Sequence, residues 1–151
     1  MVAKISNFTL HNARGESVLS SKLIRWALKA QRPFNVASYS WTVDDKLLSH
    51  IRDSFWEELP DSSGFICFES NFKSDNCYVL DAYGKERYRL RVPWELTPYD
   101  IPAGAKMWFR NVGAHMDGQY GVTAWIEYAG DFYFELDYHE GRFLWGKEIR
   151  F

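Results

Sequence analysis

The chain has 151 residues, 46% of them hydrophobic and 25% charged, with a formal net charge of -2 and a pI of about 6.1. These values fit a single folded domain over 1–151, argue against disorder, and lack the basic stripe that binding to nucleic acid uses. The charge is slightly divided, with eight Lys/Arg against six Asp/Glu up to residue 60 and ten against fourteen beyond it.

Nine residues separate the two cysteines, Cys67 and Cys77, a spacing that suits neither a CxxC redox pair nor one arm of a common zinc site. No apolar leader follows Met1, and no stretch reaches the ~18 apolar residues of a membrane span. The expected setting is therefore the cytoplasm, away from membranes, with both thiols reduced.

Taken in chain order, a short strand is expected at Lys4–Leu10, then a turn at Asn12–Gly15. Leu19, Leu23, Trp26 and Ala27 recur at helical spacing, which predicts a helix over about Ser17–Ala30 that Pro33 stops. Phe34–Trp41 reads as extended. A second helix is expected after Thr42, with Asp44 and Asp45 at its positive end, a stripe of Leu47, Leu48, Ile51, Phe55 and Leu59, and Pro60 as its stop.

From Phe65 onward the pattern changes to alternation. All but five of the aromatic residues lie at or beyond Phe55, many of them alternating with charged ones. That is the signature of strands with one buried and one wet face. Strands are expected at Phe65–Glu69, Cys77–Tyr83, Arg87–Trp94, Lys106–Val112, Tyr120–Tyr128, Phe132–Tyr138 and Phe143–Ile149, with a loop at Ala114–Gly118. Gly84-Lys85 reads as a two-residue II′ turn, Ala129–Asp131 as a three-residue loop and Glu140-Gly141 as a two-residue turn. The fold class that follows is α+β: two N-terminal helices packed on one face of a mainly antiparallel, six- or seven-stranded meander sheet.

Registering the last hairpins so that apolar residues share a face pairs Ile126 with Phe134 and Leu136 with Trp145. Thr123, Trp125, Glu127, Tyr133, Glu135, Asp137, Leu144 and Glu148 then lie on the other, wet face. Paired carboxylates such as Glu135 and Asp137 can divide acid and base roles in a hydrolase, although wet faces of antiparallel sheets are routinely charged. Large aromatics on such a face anchor partners. Arg87, Arg89 and Arg91 share a second face, where they either grip an anionic ligand or neutralise neighbouring acidic strands. His11, His50, His115 and His139 have no metal-ligand spacing, and no nucleophile or phosphate-loop motif is present.

No metal, cofactor or catalytic residue is therefore expected. The reading that fits is a small, non-enzymatic, protein-binding domain, an inhibitor or immunity-type protein that neutralises a basic partner such as a toxin or nuclease. Its surface would be Trp125, Glu127, Tyr133, Glu135, Asp137 and Glu148. The alternatives are a small-ligand domain with an aromatic pocket and an arginine-bound anion, or a carboxylate-dependent hydrolase.

Overall fold

A computed structural model describes residues 3–113 and 120–149. The loop expected at Ala114–Gly118, with His115, lies outside them. Among the described residues the chain is mostly β: β1 (Ser6–Asn12), β2 (Ser17–Leu19), α1 (Leu23–Ala30), β3 (Val36–Val43), β4 (Lys46–Ile51), β5 (Phe55–Glu58), β6 (Gly64–Phe68), β7 (Cys77–Asp81), β8 (Glu86–Leu90), β9 (Met107–Gly113), β10 (Gly121–Ile126), β11 (Gly130–Asp137) and β12 (Arg142–Glu148). They form three four-stranded antiparallel sheets, ordered β2-β1-β3-β4, β5-β6-β7-β8 and β12-β11-β10-β9. The expected two helices on one six- or seven-stranded sheet are not what forms.

The second predicted helix is a hairpin, and two residues explain why. Asp44 and Asp45 have φ of 50° and 62°, and Val43 pairs with Lys46 across them. Two consecutive left-handed residues make the I′ turn that matches strand twist, so the acids close a hairpin instead of capping a helix. Trp41 then faces Leu48, and Leu47 and Ile51 point to solvent. The first helix is also shorter than expected. Ser17–Leu19 pairs with β1, a 3-10 turn fills Ser20–Lys22, and α1 ends where Gln31 turns left-handed and donates its N–H to Ala27. None of α1 is buried.

The chain divides into two compact units, Met1–Phe65 with Asp81–Lys85, and Ile66–Leu80 with Glu86–Phe151. In the first, Phe8, Tyr39, Trp41, Trp56 and Phe65 form one aromatic cluster with ring centroids 4.8–5.5 Å apart. Its polar atoms are used: the Tyr39 hydroxyl donates to the Ser54 carbonyl and accepts from the Trp56 N–H, while the Trp41 indole donates to the Ala82 carbonyl. The Asp81–Lys85 hairpin that supplies Ala82 is not a II′ turn. Gly84 follows a turn closed by its own N–H on the Asp81 carbonyl, and its φ of +82° is the left-handed step that a three-residue loop needs.

The second unit holds the aromatic meander. Phe109, Val122, Ala124, Ile126, Phe132, Phe134 and Leu136 are its buried face, as alternation requires. Asn76, only 2% exposed, ties the β6–β7 hairpin to β9, its amide donating to the Phe109 carbonyl and accepting from the Phe109 N–H. Cys67 and Cys77 are buried in this unit with no disulfide joining them, and burial pushes the Cys77 thiol well up.

Two registers depart from expectation, with different consequences. The β10–β11 loop is Glu127–Ala129, so Ile126 faces Gly130 instead of Phe134. That slip is four residues, an even number, and every side chain keeps its face. Between β11 and β12 the ladder pairs Leu136 with Phe143 but Glu135 with Trp145, leaving Leu144 as a bulge. One extra residue reverses parity beyond it. Trp145, expected inside, therefore shares the face of Glu135 and Tyr133, and Glu148, expected outside, pairs with buried Phe132.

Candidate functional site

The wet face of β9–β12 carries a row of aromatic side chains that cross-strand pairing creates. A bulge at Arg110 aligns Trp108 directly opposite Trp125, their rings 4.7 Å apart, and Phe72 packs on Trp108 at 4.8 Å with its ring tilted by 55°. Both tryptophans are half-buried, whereas Phe72 is 75% exposed. Trp125 is thus where the alternation puts it. Trp108 and Phe72 were not singled out by sequence, because only the bulge brings Trp108 into register and only the β6–β7 turn brings Phe72 to it.

Tyr133 lies on the same face but is only 4% exposed. It rests on a glycine saddle: a Cβ on Gly113 would sit 2.6 Å from its ring, and one on Gly121 would sit 2.7 Å from its hydroxyl. Trp145 packs against it at 5.6 Å, and its hydroxyl donates to Glu135 at 2.6 Å. Burial first, then the Glu135 carboxylate, pushes the phenol above its ordinary value. Tyr133 is therefore part of the scaffold that holds Glu135, not an exposed anchor.

The remaining carboxylates are spread out. Glu127 accepts the Lys106 N–H, and Asp137 accepts the N–H groups of His139 and Glu140 inside its own turn. Glu148 accepts the Tyr99 hydroxyl on the Phe132 side. Asp131 pairs with Arg110 at 3.2 Å, and Lys147 and Arg142 face Tyr133 and Asp137 across the ladder. The face is thus mixed in charge, with Glu135 its central acid.

The three arginines of β8 and its exit are exposed on one side but engaged. Arg89 bridges Glu69 at 2.7 Å and Glu86 at 2.8 Å over the Tyr78 ring, and Arg91 pairs with Glu95 at 2.9 Å. Arg87 donates to the His139 carbonyl. Arg89 and Arg91 thus neutralise Glu69, Glu86 and Glu95, two of the three within their own segment, and not the carboxylates of the meander. His11 is held between the hydroxyls of Ser17 and Ser40, and His50 stacks on Trp56. Among the described residues no three His, Cys, Asp or Glu side chains gather as a metal site. Among the described residues no helix is long and apolar enough to cross a membrane.

The first unit contains a feature that alternation did not reveal, a cavity of about 390 Å³ under α1. Phe8, Leu10, Leu23, Ile24, Val36 and Phe55 form its apolar walls, and Ser20, Ser21, Glu57 and Glu58 supply its polar groups. The Ser20 hydroxyl donates to Glu58 at 2.7 Å. Beside it on α1, Ile24 and Leu28 are 78% and 74% exposed.

No protein-family model matches the chain, and no curated protein matches it. Its fold is similar to that of a chain in a solved structure of Tne2 in complex with Tni2, with a TM-score of 0.64 and 14% sequence identity. The likeness covers 97% of this chain and 99% of that one. At that identity it shows the fold and no more.

Proposed function

We propose that this protein is a non-enzymatic, protein-binding domain of inhibitor or immunity type, which neutralises a basic protein such as a toxin or nuclease. The observation that carries this reading is the Trp108–Trp125 pair with Phe72 packed against it. It leaves a ring 75% exposed, with no solubility reason to be there. The likeness in fold to a chain from a two-protein complex supports it.

In this reading Trp125, Trp108 and Phe72 bury against the partner, and Glu135, held by Tyr133, meets a basic side chain. Glu127 and Asp137 shape the rim through the loops they brace. The hydrolase alternative is weaker because the acids at Glu135 and Asp137 are each spent on a neighbour, one on a phenol and one on turn amides.

Affinity capture from the source cell, followed by titration of the purified partner, tests the proposal. Trp125→Ala should weaken binding about thirtyfold, as loss of a buried aromatic anchor does, and Glu135→Lys should weaken it further at low salt. A partner held equally by wild type and both variants would place the interface elsewhere.

A further inference from the structure

We infer that the cavity under α1 is a binding site for a small organic cation, a primary ammonium on a short apolar stem. This inference is independent of the partner surface on the other unit. Its volume of about 390 Å³ lies within the roughly 300–1,000 Å³ of small-molecule sites, and its lining is mainly apolar with a few convergent polar groups.

The sign of the ligand's charge follows from those groups. Every charged lining residue is acidic, Glu57 and Glu58, and no Lys, Arg or His lines the space. Glu58 already receives the Ser20 hydroxyl. Glu57 stands exposed at the edge of the space and makes no hydrogen bond or ion pair among the described residues. A ligand that fills the space takes water from both carboxylates, and a cation offsets that loss with its charge. An anion would meet two like charges, and a neutral apolar ligand would remove water from Glu57 and return nothing.

The apolar stem has a place as well. Leu10, Leu23, Ile24 and Val36 line the cavity from strand and helix. Phe55, a further wall, stays 46% exposed, so an ammonium near Glu57 can also approach an aromatic ring. The serines at 20 and 21 offer hydroxyl oxygens to the remaining N–H donors.

Three probes of one length decide the matter: n-hexylammonium, n-hexanol and n-hexanoate, each titrated into the full chain and followed by amide chemical shifts. The expected result is saturable binding of hexylammonium with shifts centred on Leu23, Ile24, Phe55 and Glu57. Hexanol should bind about tenfold more weakly and hexanoate not at all. Glu57→Gln should cost hexylammonium about tenfold and leave hexanol unchanged, and Ser21→Trp, which fills the cavity from an exposed position, should abolish both.

Equal binding of the three probes, absence of binding, or shifts that map away from the cavity would overturn the inference. If Glu57→Gln did not fold, the wild-type ranking of the probes would still decide it. Capture of a protein partner is unaffected by any of these outcomes, so this site and the partner surface fail separately.

Discussion

The two units solve the burial of aromatic side chains differently. The first uses rings with polar handles, Tyr39, Trp41 and Trp56, and fixes each by a hydrogen bond to Ser54 or Ala82. The second buries Phe109, Phe132 and Phe134, which need no partner, and makes room for Tyr133 by leaving Gly113 and Gly121 without side chains. In the first unit hydrogen bonds orient the rings; in the second, space sets the phenylalanines, and only Tyr133 adds a hydrogen bond, to Glu135. The contrast extends to their surfaces: the first leaves a helix unburied over a cavity, the second a row of packed aromatic rings over a filled sheet.

The largest expected effect is in the first cluster. Phe65 is fully buried and touches Phe8, Trp41 and Trp56, so Phe65→Ala should cost about 3–5 kcal/mol in urea denaturation. Gly121→Ala probes the rival solution. Its Cβ would lie 2.2 Å from the Phe134 carbonyl oxygen, which is backbone and cannot swing away. About 3 kcal/mol should be lost, the upper part of the range for overpacking, and a cost near zero would show that the sheet opens freely there.

Next comes a test of the polar handles. Tyr39→Phe strands the Ser54 carbonyl and the Trp56 N–H together, and about 1–3 kcal/mol is expected from the same measurement. The equivalent change at Phe132 has no such handle to lose, so the asymmetry between units would vanish if Tyr39→Phe were neutral. The smallest effect is a gain. Asp45→Gly relieves a left-handed residue at the hairpin tip and should stabilise by up to about 1 kcal/mol, read as a rise in the urea midpoint. A helix in this segment would instead lose about that much to glycine.

The meander was legible in sequence because its signal is local. Alternation at Val122–Ile126 and Phe132–Leu136 fixes which face each residue takes, and an even slip in register left that intact. The hairpin at Asp44-Asp45 was not legible, since an acid pair before a leucine stripe satisfies helix-start rules equally well. Pairing of Trp41 with Leu48 decided between them. Of the surface proposed to meet a partner, Trp125 and Glu135 could be picked out in the sequence, and Trp108 and Phe72 could not.

The amino-acid sequence by itself determined an antiparallel, aromatic-cored β meander, the inward set from Val122 to Leu136, and the absence of any familiar catalytic spacing. It could do so because side-chain alternation is a property of each strand alone. Tertiary structure decided everything that depends on one strand meeting another: the bulge that turned Trp145 outward and Glu148 inward, the alignment of Trp108 with Trp125, and the division of the strands among three sheets. A single inserted residue reverses parity, and only the partner strand records where the insertion falls.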